Sequence, residues 1–245
     1  MTFKIKLACL SVALPSAALA NPHPLPHTYG YGTAPRDAIE LEQFVDLTPT
    51  EVPGGAFELV PRLSTEVEVG LSDRLELGLY VVSAGALGAD GVALNFHGIR
   101  QRLRLRLAEA GTWPIDVSLY AEVSELHDAF EIEGKINFER RFGAVDFLLN
   151  LSAARELYWS GGGETELNPS GGVAFELSPS AMLGLEYRLD GEFAEGESEI
   201  GHWLGPAAMW QGKSLWWTVS PSAQLGAEEG EGLPLKFRTA IGIDL

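Results

Sequence analysis

The sequence predicts an all-β fold, a single antiparallel up-and-down transmembrane β-barrel of about twelve strands. Three observations lead to it. Apolar and polar residues alternate with period two in segment after segment, each about 10 to 16 residues long, the length a tilted membrane strand needs. The links between segments are alternately short and long. No uninterrupted apolar run approaches the roughly 20 residues of a membrane helix, so a chain that crosses a bilayer with such segments must close them into a barrel.

Residues 1–20 read as a secretory signal peptide. Lys4 and Lys6 precede an apolar run from Leu7 to Leu14, and Ala18-Leu19-Ala20 forms a small-residue cleavage site before Asn21. Cys9 lies inside this leader, ahead of most of its apolar core, which is the wrong place for a lipoprotein cysteine. The rest of the chain has no thiol for a disulfide, a nucleophile or a thiolate metal site. With 17 basic against 34 acidic residues, nucleic acid is excluded as a partner.

Residues 21–37 are proline-rich and contain His23, His27 and the run Tyr29-Gly30-Tyr31-Gly32, without apolar periodicity. They are expected to form a periplasmic N-terminal arm able to fold into the barrel mouth. Two histidines with no third ligand nearby are expected to be solvated, so no metal and no other cofactor is assigned.

Residues 38–245 are the barrel. The first strand runs from Ala38 to Leu47. The second and third form the hairpin from Phe57 to Val81. Phe57, Leu59, Leu63, Val67, Val69, Leu75, Leu77 and Leu79 share one face, and Glu58, Arg62, Glu66, Glu68 and Glu76 share the other. The fourth, Gly91 to Leu107, needs a bulge near Gly98, because Leu94 and Phe96 have the parity of the arginines that follow them. The fifth (Pro114 to Leu126) and sixth (Phe130 to Glu139) alternate cleanly. The seventh runs from Ala144 to Trp159 and the eighth from Thr165 to Leu177. The ninth (Ala181 to Phe193), tenth (Glu199 to Trp210), eleventh (Ser214 to Leu225) and twelfth (Leu233 to Leu245) follow. The tenth shows no clear parity.

Short links at Ser72-Asp73, Glu109 to Thr112, Phe142-Gly143, Ser178 to Ser180 and Gln211 to Lys213 are expected on the periplasmic side. Longer ones at Thr48 to Gly55, Ser83 to Asp90, Gly161 to Glu164, Gly191 to Ser198 and Gly226 to Gly232 are expected outside. His127 to Ala129 is a short link where a long one is due. Trp113, Trp210, Trp216 and Trp217 fall near periplasmic ends and Trp159 and Trp203 near outer ends, as in two aromatic girdles. The last strand, with Arg238, Ala240, Ile243 and Leu245, approximates the C-terminal signal read by barrel-assembly machinery, with alanine and leucine where glycine and phenylalanine are usual.

The run Val69-Gly70-Leu71-Ser72-Asp73-Arg74-Leu75-Glu76-Leu77-Gly78-Leu79 resembles the Gly-Leu-Thr-Asp-Arg-Leu-Glu-Leu-Gly repeat of outer-membrane barrels of the transporter or MetA-pathway phenol-degradation type. Ile99 to Leu107 is similar to the charged strand that follows it in those proteins. The resemblance spans about the first half of the chain after the leader, and implies a barrel and uptake of small solutes.

With apolar faces on lipid, the other faces line the lumen. The expected pore-lining residues are Arg100, Arg102, Arg104, Arg106, Glu66, Glu68, Glu76, Asp116, Glu122, Glu131 and Glu133. Acid outnumbers base along these faces, so a channel lined this way favours cations. The arginine ladder needs carboxylates beside it, with Glu66, Glu76, Asp116 and Glu122 as expected partners. It reads either as a constriction or, preferably, as a salt-bridged wall. An outer-membrane lipid hydrolase needs a Ser–His pair. His97 has no serine two residues on, His127 with Asp128 and Ser124 lies at a loop tip, and His202 has no evident partner in its segment, so no catalytic residue is assigned. The expected function is an outer-membrane channel for small solutes of unspecified identity, set against a closed structural or partner-binding barrel. The expected surroundings are outer-membrane lipid and lipopolysaccharide.

Overall fold

The computed structural model describes residues 21–52, 56–88, 91–226 and 235–245. The leader at 1–20 and most of the expected outer link from Gly226 to Gly232 lie outside the described residues. The strands are β1 (Ile39–Val52), β2 (Ala56–Gly70), β3 (Leu75–Gly88), β4 (Gly91–Arg106), β5 (Asp116–Leu126), β6 (Ala129–Phe142) and β7 (Val145–Tyr158). They continue as β8 (Gly163–Leu167), β9 (Ser170–Ser178), β10 (Ala181–Ala194), β11 (Glu197–Gln211), β12 (Leu215–Leu225) and β13 (Leu235–Asp244). β8 and β9 both lie between β7 and β10 and form one stave, broken at Asn168-Pro169, where proline has no N–H for the ladder. Every neighbouring pair is antiparallel, and β13 returns to β1 from Glu40–Asp244 to Leu47–Phe237, closing a twelve-stave barrel without a free edge. Following ladder partners once around returns to β1 displaced by about 14 residues. For twelve staves that shear gives a tilt of about 40° and a backbone radius of about 11 Å.

The faces follow the alternation. Leu79, Leu119 and Leu149 point outward and are 44%, 41% and 44% exposed, whereas Glu66, Glu68, Glu76 and Arg104 point inward and are 0% exposed. The polar groups are therefore inside and the hydrocarbon outside, the reverse of a water-soluble barrel. The register shift in the β3–β4 ladder makes His97 the extra residue: Val82 pairs with Gly98 and Ser83 with Phe96. Leu94 and Phe96 thereby stay on the outer face while Arg102 and Arg104 turn inward.

Two expectations are corrected. The links at Thr48 to Gly55, Ser83 to Asp90 and Gly191 to Ser198 are largely strand, because β1 and β2, β3 and β4, and β10 and β11 continue their ladders nearly to the hairpin tips. Trp203 and Trp216 belong to no girdle. Both point inward, where the Trp216 indole N–H donates to Glu40 and Lys236 Nζ lies 4.1 Å from the Trp203 ring centre. Trp113, Trp159, Trp210 and Trp217 do face outward. The parity missing from the sequence of β11 is set by Trp203, Gly205, Ala207 and Met209 inward. This inner face is uncharged and mixes small residues with Trp203 and Met209, which hid the alternation.

Candidate functional site

Residues 21–37 pass through the inside of the barrel. They start at the near end, which carries both chain ends of the barrel and the short links, turn at Pro26 to Thr28 about halfway along, and come back. At the exit Asp37 takes a left-handed conformation (φ 63°), its N–H donates to Gly70 O at 2.9 Å, and β1 begins. Gly70 has no side chain because Pro35 O and Ala34 O occupy the space a Cβ would take.

An irregular segment in the lumen has no ladder partner, so its amides need other acceptors. Wall side chains supply them. His27 N donates to Glu186 at 2.9 Å, Tyr29 N to Asn150 Oδ1 at 2.7 Å, Tyr31 N to Glu139 at 2.9 Å and Ala34 N to Glu76 at 2.5 Å. Asn150 also returns its Nδ2 to Tyr29 O at 2.8 Å, copying a strand partner with one amide. On the opposite side Leu25, fully buried, packs with Leu148, Ala174, Met182, Ala207 and Met209.

The inner face of β4 is the polar half of this socket. Arg102 Nε donates to Glu66 at 2.7 Å and to Tyr80 Oη at 2.8 Å, and its terminal nitrogens meet Glu68 and Glu76. Arg104 donates to both oxygens of Glu76, at 3.1 and 3.0 Å, and Arg100 to Glu122 at 3.3 Å. Gly78 makes room for this, since a Cβ there would strike the Arg102 side chain and the Glu66 carboxylate. Tyr29 then lies across the arginines, its ring centre 6.0 Å from Arg102 and 5.6 Å from Arg104. Arg106 stands apart at the near rim, 3.6 Å from Glu109, with Tyr31 at 6.0 Å.

Three expected members sit elsewhere. Asp116 accepts Gly111 N at 2.7 Å in the link before β5 and takes no part in the ladder. Glu131 and Glu133 lie beyond the arm, with Lys135 3.3 Å from Glu133, and help line a far-end cavity of about 430 Å³. Its other carboxylates are Asp128, Glu156, Glu164, Glu166 and Glu192, against Arg62 and Arg100. A near-end cavity of about 530 Å³ lies between arm and wall, beside Tyr31, Glu139 and Met182. His23, His27, Tyr29 and Asn150 are parts of the site that the sequence did not reveal; the Tyr-Gly-Tyr-Gly alternation in the arm was the available signal.

The arm histidines are buried, not solvated as expected. Burial, reinforced by Arg104 and Arg102, holds the His23 imidazole well below its usual value. Burial with Arg188 and Arg238 does the same to His27, whose Nδ1 faces Arg188 at 2.7 Å and Arg238 at 3.2 Å. Burial beside Glu66 pushes the Tyr29 hydroxyl up to about 12. Of the other histidines, His202 shares a 2.7 Å hydrogen bond with Tyr187 on the outer wall, and His127 is exposed at the far end.

No family model and no curated protein matches this sequence. Among solved structures, the COG4313 outer membrane channel from Pseudomonas putida F1 superposes with a TM-score of 0.59 at 12% identity, over 88% of this chain and 98% of that one. The NanC porin gives 0.57 at 8% identity over 85% and 100%, and the KdgM porin 0.56 at 7% identity over 84% and 99%. The shared feature is the fold, a closed barrel of the outer-membrane type.

Proposed function

We propose that this chain is an outer-membrane channel for small solutes, cation-preferring, and held closed by its own residues 21–37. The observation that carries the proposal is the order along the axis. An acidic cavity lies on one side of the arm and a second cavity on the other, and the arm is joined to the wall by hydrogen bonds, ring contacts and packing. Moving the arm joins the two cavities. The near end is periplasmic in this reading and the acidic cavity faces outward, where its carboxylates concentrate cations. The channel and porin neighbours support the reading at the level of fold. The β2–β3 hairpin adds the transporter or MetA-pathway likeness: of the residues that carry it, Gly70 and Glu76 also seat the arm and Gly78 makes room for Arg102. Lipid and lipopolysaccharide would cover the apolar belt, and assembly machinery would read the outward-facing Ile243 and Leu245. We assign no catalysis to the histidines.

A closed structural barrel is the second reading, favoured by the filled lumen. Planar-bilayer recording separates the two. The full-length protein should conduct little, and Leu25→Asp, which puts a carboxylate into the apolar pocket at the turn of the arm, should give a larger, cation-selective current. Silence from both supports the closed barrel, and an anion-selective current refutes the preference.

A further inference from the structure

Five carboxylates crowd the seam between the arm and β1 to β3: Glu40, Glu42, Glu66, Glu68 and Glu76, all at most 3% exposed. In the β1–β2 ladder Glu40 stands opposite Glu68 and Glu42 opposite Glu66, like charges in direct register. Arg102 and Arg104 pair with Glu66, Glu68 and Glu76, so the guanidiniums are outnumbered, and among the described residues Glu42 faces no arginine partner. Glu42 Oε2 and Glu68 Oε2 are buried without a hydrogen-bond partner among the described residues. Carboxylates left so deep without counter-charge cost several kcal/mol each unless something neutralises them.

His23 supplies what the sequence lacked, a nitrogen beside those oxygens. Its Nε2 is 3.3 Å from Glu42 Oε1, and one ligand atom each of His23, Glu42 and Glu68 lie within 4.8 Å of one another. Around the imidazole stand Tyr29 at 4.7 Å, Trp216 at 5.0 Å and Phe44 at 6.1 Å between ring centres, an apolar shell of the kind that surrounds metal ligands. We propose that His23, Glu42 and Glu68 bind a divalent transition ion of the zinc type, which fastens the arm to the wall. An imidazole with two carboxylates suits zinc, whereas magnesium and calcium prefer all-oxygen sites. Ligand atoms at these separations need only small side-chain movements to close to about 2.0–2.2 Å from an ion. One ligand comes from the arm and two from the barrel, so the ion links them across the lumen.

The test uses the full-length protein in detergent, stripped with EDTA, given Zn²⁺ alone and desalted. Elemental analysis should find one zinc per chain. Co²⁺ in its place should quench tryptophan emission, because Trp216 adjoins His23. His23→Ala changes only the arm and should lose both signals. Glu68→Gln should lose them too, with folding of each variant checked by heat-modifiable gel mobility. Glu156→Gln, in the separate carboxylate group at the far end, should keep them. No retained zinc in the wild type, or zinc retained by His23→Ala, overturns the proposal. Zinc retention is read without any current, so this failure is distinct from failure of the channel reading.

Discussion

Replacing Arg102 with methionine tests the buried network most sharply. Arg102 is 1% exposed and meets three carboxylates, Glu66 at 2.7 Å and Glu68 and Glu76 in close ion pairs. Methionine keeps much of the volume and removes the charge, leaving those carboxylates with Arg104 alone. Breaking one buried pair costs about 3–5 kcal/mol. Because Arg104 still holds Glu76 at 3.0 Å, we expect the lower end, about 3 kcal/mol, or more than a hundredfold in the folding equilibrium. Arg106→Met is the rim control, since it removes a hydrogen bond to the exposed Asp73 carbonyl and an ion pair to Glu109, 3.6 Å away and 56% exposed, the pair worth about 0–1 kcal/mol. Urea unfolding in lipid vesicles, followed by tryptophan emission, gives both values on one scale. Glu66→Gln combined with Arg102→Met should recover part of the loss, as coupled groups do. The reasoning fails if Arg102→Met lies within about 1 kcal/mol of wild type, or if Arg106→Met loses as much.

Other perturbations probe the arm and the wall separately. Leu25→Ala should weaken arm seating by about 2–5 kcal/mol, seen as higher channel activity with unchanged barrel unfolding. Gly78→Ala should cost about 1–3 kcal/mol by pushing on Arg102 and Glu66, measured by the same urea titration. His27 is faced by Arg188 and Glu186 of β10, Arg238 and Lys236 of β13, and Lys135 of β6, and is neutral when seated. A released arm takes up a proton below 6.5 while the seated one does not, so seating weakens as pH falls through and below that value. Protease cleavage of the arm should therefore rise on acidification, and less so in His27→Gln. Phe147→Arg, on the outer face, should cost about 2–4 kcal/mol in vesicles if it sits near the bilayer midplane, and much less if the face is wet.

What could be read from the sequence was whatever depended on alternation. Period two placed Leu79 and Leu149 outward and Glu66 and Arg104 inward, and a parity conflict at Leu94 and Phe96 placed a bulge near Gly98, one residue from the extra His97 of the structure. Alternation says nothing where the inner face is itself apolar, which is why β11 was left without assigned faces and the inward Trp203 and Trp216 were placed in girdles. Nor does it report pairing beyond the belt, where glycine-rich tips such as Gly85 to Gly88 stay in the ladder because both neighbours continue. An arm at 21–37 able to enter the barrel mouth was expected; how it is seated was the largest omission. Its amides are met by Glu186, Asn150, Glu139 and Glu76, which come from four different strands, and no local pattern links residue 27 to residue 186. The acidity of the lumen, read as ion selectivity, has this second use as well.

Where the arm sits is measured most directly by thiol labelling of single-cysteine variants in a Cys9→Ser background, reconstituted in vesicles. Thr28 is fully buried at the turn of the arm, whereas the Arg36 side chain is 60% exposed at its exit. A membrane-impermeant maleimide should label Arg36→Cys readily and leave Thr28→Cys protected until the protein is unfolded. Equal labelling of the two in the folded barrel would place the arm outside the lumen and contradict the account.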